Sequence, residues 1–370
     1  MVMKRFSENL FKGKGGATLV NISDVAKKAG VSISTVSRVL NNTAGYPVKQ
    51  ETRERVLEAV RELGFRPNDL ARGLLLKKSR IIGLVIPDVS NPYYSELSLG
   101  MEATALEYGY SVIFCNTSRK TEKLEHYVDV LLQKRADGII FAGGGTDFAP
   151  VSQPLLDYNV EVAVIGRHNL PFPSVQIDNI AAARDATSHL VELGHRSIAF
   201  ISGPLNLTSV QDRLAGYRTG LQQGGIDRDD RLVREGDFQS EGGYSAALSL
   251  LQGEPRPTAI FAANDRMALG VMAAAADLGL KVPDDLSVVG FDDIIMASYT
   301  RPTLTTVAIP GYEVGASAMR LMVSLLAGEV CSQVTWLPTN LVVRDSSGPP
   351  RETERFDVRS WRREGRKSGF

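Results

Sequence analysis

From Arg80 onward, short apolar runs alternate with longer mixed segments, and this alternation constrains the fold more than any other feature of the 370-residue chain. Ile81–Ile86 reads IIGLVI, the near-continuous apolar run that a parallel strand needs when it is buried on both faces. The runs Ser111–Cys115, Gly138–Phe141 and Val160–Ile165 repeat it, and a second set follows at Ser197–Ile201, Thr258–Ala262 and Ser287–Phe291. Helices are predicted near Tyr94–Tyr108, Ile180–Leu193, Val210–Gln223, Glu241–Leu251 and Asn264–Leu278. Two blocks of strand–helix repeats predict two doubly wound lobes, with crossovers near Asp178 and Pro310.

Ahead of the lobes, residues 21–41 read NISDVAKKAGVSISTVSRVLN. Ile22, Val25, Ala26 and Ala29 fall at i, i+3, i+4 and i+7, the apolar stripe of an amphipathic helix. Asn21 is placed to N-cap it with Asp24 in a capping-box position, and Gly30 follows its end. Ser32 can cap a second helix whose apolar residues are Val36, Val39 and Leu40. Its other face carries Ser34, Ser37, Arg38 and Asn41, hydroxyls, an arginine and an amide suited to a DNA major groove. Periodicity alone also fits two short helices of an ordinary all-α domain. After a turn at 42–49, a third helix is predicted from Gln50 to Leu63, with a buried stripe of Val56, Leu57, Val60 and Leu63 and Gly64 at its end.

The wording of this region goes beyond periodicity. D-V-A-x-x-A-G-V-S-x-S-T-V-S-R-V-L-N, then E-T-R-E-R-V, then G-F-R-P-N-x-L-A-R, closely resembles the lactose-repressor (LacI/GalR) family of bacterial transcription regulators, and the likeness runs from about residue 18 to about residue 350. The resemblance implies a multidomain protein: an N-terminal all-α helix-turn-helix DNA-binding domain at 18–66, a hinge helix or linker at 67–79, and a two-lobed α/β periplasmic-binding-protein-like effector and dimerisation domain at 80–350. A basic N-terminal extension, 1–17, is read as disordered, and a basic tail occupies 351–370. By the same resemblance Ile33, Ser34 and Arg38 read bases, while Thr35, Ser37 and Asn41 meet phosphates. Ser34 and Arg38 also follow from their place on the polar face; Ile33 either meets a thymine methyl or packs inward. In the hinge, Ala71 and Arg72 would line the minor groove and Leu74 would wedge into the central base step, offsetting the unstacking cost by bending the duplex. A homodimer on a palindromic operator is implied, since the symmetry of the protein dictates that of the site. The turn after the second helix is about two residues longer than is usual in the family, and Ala182 stands where glycine is usual.

Ligands of open α/β sheets sit beyond the carboxyl ends of the strands, so two facing lobes place those ends across a cleft. Residues just after the apolar runs are Asn91 to Tyr94, Asn116, Gly143 and Gly144, Gly166 and Arg167, Asn264 and Asp265, and Asp292 and Asp293. Arg213, in Q-D-R-L-A-G-Y, resembles the arginine that opens a helix at the family's cleft. Arg213, Asn264 and Asp292 are expected to hydrogen-bond a sugar-like effector, because a polyol needs donors and acceptors in planar geometry. Tyr94 or Phe261 would stack on it. Asn116 and Tyr93 complete the set, with ordinary core as the alternative for Tyr93. Asp292 could instead cap the next segment and Arg213 form an ion pair. Arg167 is either a second cation beside Arg213, favouring an anionic ligand, or a solvated side chain.

The formal net charge of zero hides an asymmetry: residues 1–78 hold 15 Lys+Arg against 7 Asp+Glu, and residues 351–370 hold 7 against 4. A basic head on an acidic body puts a polyanion at the head. The four histidines, His126, His168, His189 and His195, lack metal-ligand spacing, and neither a GxSxG nor a P-loop is present, so no enzyme, cofactor or metal is expected. Two cysteines, no apolar run near the ~20 residues of a membrane span, and no secretory h-region in 1–17 lead us to expect a cytoplasmic protein. The rival class is the solute-binding receptor of a transport system, which would share 80–350 and lack the helix-turn-helix.

Overall fold

The computed structural model describes residues 20–41, 48–65, 78–143, 149–158 and 160–351. The chain divides at Ser79/Arg80 into two compact units. The predicted hinge residues Ala71, Arg72 and Leu74 lie outside the described residues, as do 1–19 and most of the tail.

The first unit has α1 (Ile22–Ala29), α2 (Ile33–Asn41) and α3 (Gln50–Leu63). Asn21 accepts from the amides of Ser23 and Asp24 while Asp24 bonds back to the Asn21 amide, closing the capping box. Gly30, at φ 65, ends α1 in the left-handed region. Val25, Val36 and Val56 are fully buried at the centre, packed with Ala26, Ala29, Val39 and Ala59. The stripe of α3 differs from the sequence reading in one residue. Leu57 is 40% exposed, and Ala59 takes its place. Val56, Ala59, Val60 and Leu63 are the true i, i+3, i+4, i+7 set, and Leu57 lies about 100° off it.

The second unit contains two six-stranded sheets. The first has the order β11-β5-β4-β3-β1-β2, from β1 (Ile81–Ile86), β2 (Ser111–Asn116), β3 (Gly138–Ala142), β4 (Glu161–Ile165), β5 (Ser174–Ile177) and β11 (Val334–Leu337). The second is β12-β10-β9-β8-β6-β7, from β6 (Ile198–Ser202), β7 (Val233–Glu235), β8 (Ala259–Ala262), β9 (Ser287–Asp292), β10 (Thr305–Ala308) and β12 (Asn340–Val342). All pairings are parallel except β10 with β12. Six parallel connections carry a covering helix, α4 (Pro92–Glu107), α5 (Thr121–Gln133), α6 (Ala149–Asp157), α8 (Thr208–Gln223), α9 (Ser240–Leu251) and α10 (Asp265–Asp277). The β4–β5 and β9–β10 connections have no α-helix, and α7 (Asn179–Glu192) and α11 (Gly311–Leu326) lie where the chain passes between the sheets.

The chain passes between the sheets after β5 and after β10, at the two predicted crossovers, and a third time between β11 and β12. The third went unpredicted because VTWL and NLV are edge strands with no fully buried residue, so they carry no apolar run. Strand β5, SVQI, which lies between β11 and β4, hides for another reason: its buried Gln176 donates to Ser174 Oγ at 2.8 Å. Cys115 is buried, which pushes its thiol up to about 11, whereas Cys331 is only half-buried.

Candidate DNA-reading helix and interlobe cleft

In the first unit, α2 turns its valines into the core and leaves Ser34 and Arg38 exposed. Ile33 is 49% exposed, so it points outward and does not pack inward. Ser32 Oγ accepts from the Thr35 amide at 3.2 Å and lies 2.8 Å from Ser34 Oγ and 2.9 Å from Thr35 Oγ1. This hydroxyl cluster fixes the first turn, where Ile33 and Ser34 protrude. Thr35 and Ser37 are half-buried at its flanks, and Asn41 closes the helix.

In the second unit, the strand ends of both sheets meet at a cleft. Asn91 accepts from the Tyr93 amide at 3.0 Å and so caps α4, which places Tyr93 and Tyr94 in its first turn. Their rings meet edge to face at 5.1 Å. Two adjoining hollows share Tyr93, Tyr94, Gly143, Ser209 and Arg213, and each encloses about 500 Å³ including its open mouth.

Arg213 is the pivot of the cleft. Its Nε donates to Asn179 Oδ1 at 2.9 Å and its Nη1 to the Ala263 carbonyl. Its guanidinium carbon stands 3.7 Å from the centroid of the Phe291 ring, and Nη1 is 3.8 Å from Asp292 Oδ1. Burial pushes the Asp292 carboxyl up to about 6, against the opposing pull of Arg213 and an Asn91 hydrogen bond. Burial lowers Arg213 in turn, and Asp292 counters it. Asp292 sits at φ 116 and Asp293 at φ 57, backbone that non-glycine residues rarely adopt outside functional turns. Asn264 caps α10 by accepting from the Met267 amide at 2.9 Å and donates to the Phe238 carbonyl at 3.2 Å, yet it lines the first hollow.

Tyr93, Tyr94, Arg213, Asn264 and Asp292 are thus brought together at one place. Three expected ligands are elsewhere. Phe261 is fully buried in β8, with its ring between Phe200 at 5.2 Å and Phe291 at 6.5 Å, so it is core. A strand residue facing the helix layer cannot also project from the strand end. Asn116 accepts from the Val89 amide at 3.2 Å and holds the loop after β1 without lining either hollow. Arg167 lines neither: it makes a bidentate pair with Asp212 of α8, Nε–Oδ2 2.8 Å and Nη2–Oδ1 2.7 Å. That pair joins the end of β4 in one lobe to the other lobe, and Thr208 Oγ1 adds a bond to the Arg167 carbonyl at 2.8 Å. Arg266 and Gln239 bridge the lobes again through Asp88, at 3.0 and 2.9 Å. Phe238 lines the first hollow where Phe261 does not, and a further cation, Arg119, joins the lining. Both sit in loops without apolar periodicity, and no sequence signal singled them out.

The Arg167–Asp212 clasp is half-exposed on the arginine side, so its bidentate geometry is worth little more than a surface pair. Arg167→Ala is expected to cost about 1 kcal/mol, read as a lower urea midpoint at unchanged slope. A larger radius of gyration in solution scattering would accompany it if the clasp holds the lobes together; an unchanged midpoint and radius would make it incidental.

Comparison with known proteins agrees with this arrangement. Residues 21–68 match the family described as bacterial regulatory proteins, lacI family, and residues 187–347 match a periplasmic binding protein-like domain. The match at 21–68 sets aside the transport-receptor reading. Catabolite control protein A of Priestia megaterium is 40% identical over 334 residues, covering 89% of this chain and 99% of that protein. Among solved structures, the lac repressor dimer bound to operator and the anti-inducer ONPF superposes with a TM-score of 0.81 at 33% identity, covering 89% of this chain and 99% of that one. A complex of the transcriptional regulator CelR with cellobiose superposes at 0.67, also at 33% identity, over 89% of this chain and 100% of that one. With a helix-turn-helix unit and a two-sheet cleft unit in one chain, and relatives of this identity along nearly its whole length, the protein belongs to the LacI family of bacterial transcriptional regulators.

Proposed function

We propose that the protein is a cytoplasmic repressor that binds a palindromic operator as a homodimer and is switched by a small sugar or sugar derivative held in the interlobe cleft. The observation that carries this reading is α2, with Ser34, Arg38 and half-exposed Ile33 on one face of a helix whose other face builds the core. The lac repressor structure, a dimer on operator, supports the symmetry, and the cellobiose complex supports the ligand class. The domains run 18–66 for DNA reading, 67–79 for the hinge and 80–350 for the effector. Ile33, Ser34 and Arg38 contact bases; Thr35, Ser37 and Asn41 contact phosphates; Ala71, Arg72 and Leu74 act in the minor groove. Among the described residues no cluster of His, Cys, Asp and Glu could hold a metal. Among the same residues no helix is long and apolar enough to cross a membrane.

Effector and operator then act as coupled ligands, and each changes the affinity for the other by the same factor. Selection of fragmented genomic DNA on the purified protein tests the reading. Enrichment of a palindrome is the expected result. No enrichment with or without added sugars, in protein shown to be dimeric, would sink it. Arg38→Ala is expected to weaken the recovered site by about 1–3 kcal/mol and to relax preference at one base pair. A uniform loss across all sequences would make Arg38 a phosphate contact.

A further inference from the structure

The cleft holds a cation that the binding scheme above leaves unused. Arg119 lies between β2 and α5, and it and Ser118 both adopt left-handed backbone, φ 59 and φ 51. Two such residues in succession are strained, and strain of this kind persists where the surroundings fix it. The turn brings Arg119 into the lining of the first hollow, with its guanidinium carbon 4.9 Å from the centroid of the Phe238 ring on the facing lobe. Stacking engages the flat face of a guanidinium and leaves its N–H edge available, the edge that grips carboxylates and phosphates.

The other cations at the cleft are matched. Arg213 faces Asp292, Arg266 pairs with Asp88 at 3.0 Å, and Arg167 is clasped by Asp212. Among the described residues Arg119 has no carboxylate within ion-pairing distance. Leu207 and Ser209 line the same hollow at the start of α8, whose N-terminus has no side-chain cap, so the positive end of that helix adds to the field of Arg119. The hollow therefore has two functional ends. Asp292 and Arg213 at depth can pair with the hydroxyls of a sugar ring, and Arg119 at the mouth carries a positive charge unmatched among the described residues.

Resting on the reading that the cleft takes a sugar-like effector, we propose that Arg119 is a specificity-determining residue that recognises a negatively charged group, so that the effector is an acidic sugar bearing a carboxylate or a phosphate. Neutral sugars would leave the Arg119 edge without a partner. Affinity for the acidic ligand falls as salt rises, because part of the recognition is between exposed charges.

Thermal shift and titration calorimetry on the full chain test this with three pairs of probes: ribose and cellobiose, gluconate and glucuronate, ribose 5-phosphate and glucose 6-phosphate. Binding by at least one acidic pair is expected, and which pair binds distinguishes carboxylate from phosphate. Arg119→Gln is expected to weaken that binding roughly 10- to 100-fold, the range for a hydrogen-bonded charge, and Arg119→Lys to restore part of it. Equal affinity in wild type and Arg119→Gln would overturn the assignment. Binding of the neutral pair alone would overturn it too, while leaving the sugar-switched regulator intact. No binding of any probe would remove both the acidic-sugar assignment and the sugar reading beneath it.

Discussion

Arg213→Ala is expected to abolish the effector response and to destabilise the second unit, with a loss that grows with pH. The substitution removes two buried hydrogen bonds, the stack on Phe291 and the counter-ion of Asp292. Breaking a buried pair from one side costs about 3–5 kcal/mol when the remaining charge stays ionised. Asp292 has an escape, because its carboxyl already titrates at about 6, well above its ordinary 3.8. A carboxyl raised in the folded state holds its proton more tightly there than when unfolded. Its ionisation therefore withdraws stability as pH rises from the unfolded value through the folded one. In the wild type that window closes near pH 6. Without Arg213 the folded value climbs further and the window extends upward. The stability gap between wild type and variant should be smallest near pH 5 and widest near pH 8, measured by urea denaturation. Operator binding, followed by fluorescence anisotropy, should persist but no longer respond to the effector. A pH-independent gap would dissociate Asp292 from Arg213, and a preserved response would remove Arg213 from the site.

Gly315→Val is expected to cost roughly 3 kcal/mol or more by overpacking a site with no room to yield, a fall of about 6–12 °C in Tm for a domain of this size. Helices α4 and α11 cross on a reciprocal pair of glycines. A Cβ at Gly315 would fall 1.9 Å from the Leu97 carbonyl oxygen, and one at Gly100 would fall 1.9 Å from that of Tyr312. Both obstacles are backbone, so no rotamer change relieves them and the helices must separate. The cost reaches the cleft, because α4 carries Tyr93 and Tyr94 in its first turn. Ser317→Ala, two residues along and half-buried, should stay within about 0.5 kcal/mol. Thermal denaturation of the two variants side by side decides it. An unchanged Tm in Gly315→Val would mean that the crossing is looser than the packing indicates.

Much of this protein was legible because two of its parts are written in strong periodic signals. The capping box at Asn21 and Asp24, the glycine at Gly30 and the valine stripe of α1 and α2 are local, so the helix-turn-helix could be read residue by residue. Seven strands were equally plain from their apolar runs: β1, β3, β4, β6, β8 and β9 because burial on both faces demands such a run, and the edge strand β2 although only its Cys115 is buried. From strand ends alone it follows that a cleft exists and that Tyr93, Tyr94, Asn264 and Asp292 lie near it; Arg213 came from the wording of its own segment.

What the tertiary structure decided is which of these groups face the cleft and which face one another. Arg167 emerges from a strand end, as a ligand would, but Asp212 from the opposite lobe reaches it, and 45 positions of sequence separation hide that pair. Phe261 and Phe238 differ in their place in the fold, one sealed in strand β8 and the other in a loop, turned at φ 65 beneath Arg119. The third crossover and the Gly100–Gly315 crossing depend on contacts between segments remote in the chain. Sequence pattern determines whether a residue is buried, because burial acts through local periodicity; the partner it meets there depends on how the lobes close, and that is set by contacts with no local signature.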